Sequence, residues 1–448
     1  MQFQVEQAKH LLKTAKAQGA TEGDVLVVEG DSFSAQVRLD EVEKISSARG
    51  KSLGLRLFFG KRSAITSTSD LSQASLDQLV SDTCELAQIA EEDALSGLPA
   101  AEDYATTFPE LDLVDAEIDR MSIDEKIEIA KKTERAALAK DPRLDNSEGA
   151  DFSHSYNEML YVASNGFAGC NRGSWVSLSV SPIARENGGM QRDYWYSSKR
   201  KLRDLESAEF IGQKAAKRTL RRLGARKVAT QTAPVVFEPE IAASLLGHIA
   251  SALSGYALYK KASFLTDRLG QQVTSEIVSI VDDPTLPRGL GSRPFDGEGL
   301  PSYKKEIVEK GVLKSYLLDT YSGKKLGMPS TGHAVRGTGG GPGVGVSNFL
   351  MAPGQLTQEE IIASVQSGLL VTELIGFGVN LITGDYSRGA AGIWIENGEL
   401  AYPVEELTIA GNLKDMFKEI ELLGNDVDLT RKVAAPTLKI SKMMIAGH

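Results

Sequence analysis

Ser174-Trp175-Val176-Ser177-Leu178-Ser179-Val180 is the stretch of the chain in which polar and apolar side chains alternate most regularly. Successive side chains of a β-strand point to opposite faces of a sheet, so this alternation predicts a strand with one buried face and one solvated face. Other short strand-like runs lie on both sides of it, and segments with a helical period separate them. This order is typical of helices segregated from antiparallel sheet, and it predicts an α+β fold.

The N-terminal half contains four segments with a helical period. The predicted helices cover about residues 5–18, 71–92, 123–140 and 205–223, and the last of them is basic. Ser122 and Glu125 have the spacing of a capping box, which marks the start of the third helix. The predicted strands cover 24–29, 34–39, 44–48, 53–59, 63–68 and a series from 147 to 197. Arg49–Ser52 is predicted to be the turn before the strand 53–59.

The segment 225–233 lacks a strong pattern, and a domain boundary is predicted there. It divides the chain into an N-terminal α+β domain (1–225) and a β-rich C-terminal domain (226–448) with mixed or antiparallel sheet. The second domain opens with a buried strand, Pro234–Phe237, and ends with another, Pro436–Ile445. Residues 241–259 lack Asp, Glu, Lys and Arg. Serine, glycine and histidine dilute their apolar character, so a buried helix is predicted rather than a membrane span.

Composition restricts the class of protein. The chain has 448 residues, of which 42% are hydrophobic and 25% are charged, and this is ordinary for a folded protein. The formal net charge of −10 disfavours direct contact with nucleic acid, which needs a concentrated basic face. Two cysteines, Cys84 and Cys170, make no disulfide framework. Because Met1–Glu6 has neither the basic start nor the apolar stretch of a signal peptide, we expect a cytoplasmic protein.

Two glycine-containing segments formally match catalytic or phosphate-binding motifs. Gly50–Gly54 fits the G-x-S-x-G nucleophile elbow, but that elbow needs a helix after the serine, and here a strand is predicted. The segment is therefore interpreted as a hairpin turn. Gly337–Gly345 is the most glycine-dense stretch and lacks the spacing of the dinucleotide fingerprint. It is interpreted as a mobile surface loop, or as a loop beside a substrate channel.

The histidines give no metal motif by spacing. They are His10, His154, His248, His333 and His448, and no two of them lie within one helical turn. A zinc-protease motif places two histidines on one face of a helix, with a glutamate as base. His248, alone on the uncharged helix, is predicted to be a hydrogen-bonded core residue.

Several longer motifs resemble those of the TldD/PmbA family, and the resemblance covers essentially the whole chain. The clearest is Gly384-Asp385-Tyr386-Ser387-Arg388-Gly389-Ala390-Ala391-Gly392. The others are Glu396–Glu399, Ile409–Leu413, Leu423–Asp426, Thr331–His333, Ser347–Asn348, Ala352–Gly354 and Thr372–Glu373.

The family has metallopeptidase members, which carry His-Glu-x-x-x-His on a helix, and PmbA/TldE members, which lack these ligands. The corresponding helix here resembles Leu245–Gly255. Gly247 stands where the first histidine is expected and His248 where the glutamate is expected, and no second histidine follows. The loop 427–434 also lacks the cysteine that catalytic members use. The resemblance therefore implies a PmbA/TldE-type chain with no metal and no catalytic residue of its own.

The resemblance further implies a TldD-like partner that holds zinc and cuts short unfolded peptides, while this chain shapes the cavity. Neither nucleic acid nor a membrane is expected as a partner, although "modulator of DNA gyrase" is an older family label. A homodimer stays open for the chain alone. The candidate substrate- or partner-binding residues are His333, Asn348, Thr372, Glu373, Asp385 and Arg388. Asp385 and Arg388 are predicted to lie in a turn between the strands Val379–Ile382 and Gly392–Glu396. They form a surface ion pair there, or Arg388 faces the cavity or the partner.

Two alternatives come from other functional classes. The first is a stand-alone metallohydrolase whose ligands, such as His154, His333, Asp385 and Glu373, meet only in the folded chain. The second is a regulatory binding protein without a role in proteolysis. The metal content of the purified chain distinguishes the first alternative from the PmbA/TldE hypothesis, which predicts no stoichiometric zinc.

Overall fold

Residues 3–447, which a computed structural model describes, form helices packed on four β-sheets. The helices are α1 (Val5–Ala17), α2 (Gln73–Ile89), α3 (Ile123–Leu138), α4 (Ala208–Leu220), α5 (Pro239–Ala252), α6 (Gly255–Tyr259), α7 (Thr320–Leu326), α8 (Gln358–Ala363) and α9 (Leu413–Lys418). The α+β prediction is confirmed, while the domain boundary near residue 225 stays a prediction.

Most of the strands occur in consecutive runs between these helices. They are β1 (Glu22–Arg38), β2 (Glu41–Phe59), β3 (Arg62–Thr68), β4 (Asn146–Ala163), β5 (Ala168–Glu186), β6 (Gly189–Arg192), β7 (Trp195–Lys199), β8 (Gln231–Phe237), β9 (Ile280–Asp282), β10 (Lys305–Glu309), β11 (Val312–Leu313), β12 (Ala334–Val335), β13 (Gly343–Val344), β14 (Phe349–Met351), β15 (Ser367–Ile375), β16 (Asp385–Glu396), β17 (Glu399–Asn412), β18 (Ile420–Leu423), β19 (Val433–Ala434) and β20 (Leu438–Ala446).

The N-terminal sheet has the order β3-β2-β1-β4-β5-β6, with β7 also paired to β5. The stretch 174–180 lies within β5, and its apolar side chains are buried as the alternation predicts. The predicted turn at Arg49–Ser52 is wrong, because β2 runs straight through it and Gly50 lies opposite Gly30 of β1. The hairpin-turn interpretation of Gly50–Gly54 is wrong for the same reason. Strand pairing continues here through residues of low strand propensity.

Both pairs of long helices cover the same face of this sheet. Val25 of β1 packs in one cluster with α1 and α2, and Ala35, on the same face of β1, packs in another with α3 and α4. On the opposite face Leu26 packs against Phe295 of the C-terminal half. The capping box of α3, Ser122 with Glu125, is confirmed.

The C-terminal half is built around a sheet of order β17-β16-β15-β8-β20-β18, in which β17 also pairs with β20. The strands β17, β16, β15, β8 and β20 therefore close into a ring. The pair β8–β15 is parallel, so this sheet is mixed, as predicted. A second sheet, β11-β10-β9-β14-β19, flanks it.

The uncharged segment 241–259 forms two helices instead of the single one predicted. Helix α5 begins with Pro239 at its first turn and ends at Ala252, and α6 follows from Gly255. The break has a packing cause, since the Gly255 N–H donates to the Leu317 carbonyl and a Cβ at Gly255 would lie 2.3 Å from Ser322 Oγ. None of the helices in residues 3–447 is long and apolar enough to cross a membrane.

The glycine-rich segment 337–345 follows β12, includes β13 and packs on the N-terminal sheet. Thr338 Oγ1 is 2.9 Å from Ser52 Oγ. A Cβ at Gly54 would lie 2.2 Å from the Thr338 carbonyl oxygen, so this glycine permits the close approach of the two backbones. The segment is thus a contact between the two halves of the chain, and its mobility stays a prediction.

Candidate functional site

A pocket of about 300 Å³ gathers three of the six candidate binding residues, Thr372, Glu373 and Arg388. The pairing of β15 with β16 shifts register between Val371 and Glu373, which makes Thr372 an extra residue in the strand. Such a bulge redirects the side chains next to it. The first turns of α5 form another wall of the pocket.

The pocket lies where the two halves of the chain meet. The Arg222 guanidinium, just after α4, lies 2.5 Å from the Glu373 carboxylate on β15. Ser181 and Tyr194 of the N-terminal half also line the pocket. Its walls therefore depend on both halves of the chain.

Asp385 and Arg388 do not lie in a turn between strands and do not form an ion pair with each other, so the predicted turn is wrong. Both belong to β16, where residues three positions apart point to opposite faces. Arg388 lines the pocket, in line with the alternative interpretation that it faces a cavity. Asp385 is exposed and accepts hydrogen bonds from Thr383 Oγ1 at 2.5 Å and Asn412 Nδ2 at 3.1 Å, which lower the pKa of its carboxyl. Val379–Ile382, the predicted strand before them, makes only an isolated bridge from Val379 to Tyr386.

His248 on α5 lies beside this pocket. Its ring meets the Tyr386 ring edge to face, with centroids 6.0 Å apart. Burial lowers the pKa of His248 and the nearby Arg388 guanidinium lowers it further, while burial raises the pKa of Tyr386 to about 12. The predicted hydrogen bond is not found at Nε2, which is buried without a partner among residues 3–447. The imidazole is therefore neutral at pH 7 and faces a fixed positive charge.

We expect Arg388→Gln to raise the pKa of His248 toward its ordinary value of about 6.5, because it removes that charge. Because folding lowers this pKa, the contribution of His248 to stability is present above about pH 6.5 and is lost as the pH falls through the folded-state value. NMR titration of the imidazole signals measures the shift, with His248→Gln to assign the resonance. Arg120→Gln, at an exposed arginine elsewhere, is the control and should leave it unchanged. A His248 pKa unaffected by Arg388→Gln would contradict the coupling.

A larger cavity of about 1170 Å³ adjoins the pocket and shares Tyr194 and Glu240 with it. Helix α4, strand β7, the start of α5 and the segment 426–435 form its walls. The sequence pattern identified α4 as a basic helix but gave no sign that it lines a cavity. The cavity forms only in the folded chain, where α4, the start of α5 and the distant segment 426–435 come together.

His333 and Asn348 line neither cavity and are fully buried. His333 Nδ1 lies 2.7 Å from Thr331 Oγ1, and Nε2 lies 3.2 Å from the Asp282 carboxylate. The Asn348 amide donates to the Asp283 carbonyl at 2.6 Å. Both residues therefore hold loops of the flanking sheet together.

The four ligands considered for a stand-alone metallohydrolase lie in different places. His154 contacts Lys126 Nζ at 3.0 Å on the N-terminal sheet. His333, Glu373 and Asp385 have the separate partners already described. Within residues 3–447, no three His, Cys, Asp or Glu side chains lie close enough to share a metal ion. His448 falls outside these residues.

Models of known protein families match almost the whole chain. The PmbA/TldA metallopeptidase domain 1, central domain and C-terminal domain match residues 23–87, 116–223 and 230–447. The chain is 39% identical to Metalloprotease PmbA of Escherichia coli O157:H7, over 99% of this chain and 98% of the relative. It is 25% identical to the Metalloprotease TldD homolog of Haemophilus influenzae, over 89% and 87%.

Solved structures agree with this result. A Bacteroides thetaiotaomicron protein, provisionally described as a modulator of DNA gyrase, superposes with a TM-score of 0.92 at 32% identity, covering 99% of this chain and 98% of that one. TldE from Thermococcus kodakarensis has the same fold, with a TM-score of 0.88 at 23% identity and 98% and 99% coverage. The chain belongs to the PmbA/TldD metallopeptidase family.

Proposed function

We propose that this chain is the PmbA/TldE-type subunit of a heteromeric zinc metallopeptidase and binds short unfolded peptides beside a metal-bearing TldD-like partner. The observation that carries the proposal is the surroundings of His248 on α5, the helix that resembles the metal-binding helix of catalytic family members. A single imidazole lies there next to the Arg388 guanidinium.

This set of side chains does not fit a zinc ion. A catalytic zinc usually has three protein ligands, and here only one neutral imidazole is available on the helix. Arg388 would repel a cation, and Tyr386, with its pKa raised to about 12, keeps its proton at neutral pH. We therefore expect the zinc in the partner and none bound stoichiometrically by this chain.

The two adjoining cavities support the peptide-binding part of the proposal. Together they exceed the roughly 300–1,000 Å³ of ordinary small-molecule pockets, which suits an extended chain of several residues. Their walls combine aromatic side chains with paired charges. In this role the chain's residues bind and orient a peptide, and no bond-breaking step is assigned to them.

Reconstitution with a metal-bearing relative tests the proposal. We expect this chain alone to cleave an unstructured peptide no faster than buffer, and the mixture to cleave at least about tenfold faster than the relative alone, because a well-placed substrate gains much in rate. Metal analysis of the purified chain should find far less than one zinc per chain. His248→Gln should leave the activity of the mixture nearly intact, and an unfolding curve of the variant checks that the fold is kept.

Three results would contradict the proposal. Cleavage by this chain alone with one zinc bound would favour the stand-alone metallohydrolase. Loss of activity in the His248→Gln mixture, with partner binding unchanged, would give His248 a catalytic role. A mixture that neither associates nor gains activity would favour a regulatory protein outside proteolysis.

A further inference from the structure

The charges lining the larger cavity are not balanced. Eight basic and five acidic side chains line it. The basic residues are Lys140, Lys199, Lys214, Lys217, Arg218, Arg221, Arg431 and Lys432, and the acidic ones are Glu206, Glu238, Glu240, Asp426 and Asp428. The ion pairs and hydrogen bonds of these residues show which basic side chains account for the excess positive charge.

Each acidic group in the wall already has a partner. Glu238 lies 2.6 Å from Arg221 and 3.0 Å from Arg218, and Glu240 lies 3.3 Å from Arg431. Asp428 pairs with Lys199 at 3.1 Å. The other two acidic residues accept hydrogen bonds. The Glu206 carboxylate accepts from Trp195 Nε1 at 2.7 Å, and the Asp426 carboxylate accepts from Thr437 Oγ1 at 2.7 Å.

Four of the eight basic residues, Lys140, Lys214, Lys217 and Lys432, belong to none of the ion pairs found in residues 3–447. Lys140 follows α3, and the other three lie on α4 and before β19. Lys214 and Lys217 are three residues apart on α4 and so lie on one helix face. Lys432 comes from the segment just before β19. The three ammonium groups therefore approach the cavity from two different segments of the chain.

Lys214 is also held in place. Its Nζ lies 3.5 Å from the centroid of the Trp195 ring, a cation–π contact, and 5.5 Å from that of Phe210. Phe210 and Tyr194 remain about half exposed beside it. A ligand that fits here carries negative charge for the lysines and apolar or aromatic groups for the exposed rings.

We propose that this cavity binds acidic segments of peptides, whose carboxylates pair with Lys214, Lys217 and Lys432 while apolar side chains contact Tyr194 and Phe210. The inference rests on the proposed peptide-binding function and specifies its substrate class. A nucleic acid also carries negative charge. Peptide is favoured because the formal net charge of the chain is −10 and the cavity has few unpaired cations, whereas nucleic-acid binding needs a concentrated basic face.

Binding of three defined probes to the full chain tests this inference, measured by fluorescence anisotropy. The probes are a labelled unstructured peptide with glutamate and tyrosine residues, the same peptide with glutamine for glutamate, and a labelled single-stranded oligonucleotide. We expect at least about tenfold tighter binding of the glutamate peptide than of the glutamine peptide, decreasing with salt.

The triple variant Lys214→Gln, Lys217→Gln, Lys432→Gln should abolish that preference without changing the binding of the glutamine peptide. Lys214→Arg, which keeps the charge and the stacking on Trp195, should retain it. Lys13→Gln, at an exposed lysine of α1, is the matched control and should behave as wild type. Unfolding curves of every variant check that the fold is kept.

Several outcomes would overturn the inference. Equal binding of the two peptides, or an unchanged preference in the triple variant, would disprove the acidic specificity while leaving peptide binding itself in place. Tighter binding of the oligonucleotide, lost in the triple variant, would assign the cavity to nucleic acid. If neither peptide binds to wild type, the proposed function fails together with the inference.

Discussion

Asp24→Ala is expected to lower the free energy of unfolding by about 3–5 kcal/mol, because it removes one side of a buried ionic cluster. Asp24 is completely buried on β1. Its carboxylate accepts from the Arg56 guanidinium at 2.5 and 3.0 Å and from Arg336 at 2.6 Å, and the Tyr161 hydroxyl donates to it at 3.2 Å.

The large size follows from what the substitution leaves behind. Arg56 and Arg336 are buried, and Nε and Nη2 of Arg336 already have no hydrogen-bond acceptor among residues 3–447. Without Asp24 two guanidinium groups would stay in the interior with no opposing carboxylate in contact. Because Arg336 precedes the glycine-rich segment, the loss also loosens the contact between the two halves of the chain.

Protonation of Asp24 at low pH should produce the same loss of stability as Asp24→Ala. Burial alone would raise the pKa of Asp24, but Arg336 and Arg56 outweigh it and hold the pKa below its ordinary value. A carboxyl whose pKa is lowered on folding contributes stability above its unfolded pKa of about 3.9, and this contribution is lost as the pH falls through the folded value. Wild type should therefore lose this contribution only below about pH 4, whereas Asp24→Ala lacks it at every pH.

Urea unfolding at neutral pH measures the effect, and Asp31→Ala is the matched control. Asp31 lies on the same strand but is exposed, so its replacement should change the free energy of unfolding by at most about 0.5 kcal/mol. Similar losses in both variants would show that the strand, and not the ionic cluster, accounts for the effect.

The helices and the alternating strand were predictable because their signals are local. The capping box at Ser122, the predicted end of the first helix near residue 18 and the alternation in 174–180 depend only on neighbouring residues. The continuous pairing of β1 with β2 was not predictable, since it depends on residues distant in sequence, such as Gly30 opposite Gly50.

The site was less predictable than the fold for the same reason. Thr372, Glu373 and Arg388 were selected by family resemblance, and the structure places them around one pocket. The cluster around Asp24 joins residues more than 300 positions apart in sequence, which no local pattern indicates. Asp385 and Arg388 were misassigned because glycines beside them resemble a turn, although the pairing with β17 makes them a strand.

Glu238→Ala is expected to lower the free energy of unfolding by about 3 kcal/mol, because Glu238 also neutralises two partly buried arginines. Glu238 is the residue before α5, is 4% exposed, and contacts Arg218 and Arg221 of the α4 region. Burial alone would raise its pKa, but Arg221 and Arg218 outweigh this and lower it. Without the carboxylate, Asp193, 3.3 Å away, is the carboxylate that still pairs with Arg218 among residues 3–447.

Glu209→Ala is the matched control, because Glu209 also lies in the α4 region but forms an exposed pair with Lys132. Removing an exposed ion pair should cost at most about 1 kcal/mol. Urea unfolding compares the two variants, and equal losses would contradict a special role for the buried pair.

The Glu238→Ala variant also separates folding from recognition. Removing one of the five wall carboxylates leaves Arg218 and Arg221 facing the larger cavity with more unbalanced positive charge. If the cavity selects acidic peptides by charge, the folded variant should bind the glutamate peptide at least as tightly as wild type, although it unfolds at a lower urea concentration. Weaker binding under conditions where circular dichroism shows the variant still folded would mean that Glu238 positions the cavity wall, and that wall geometry outweighs net charge in peptide recognition.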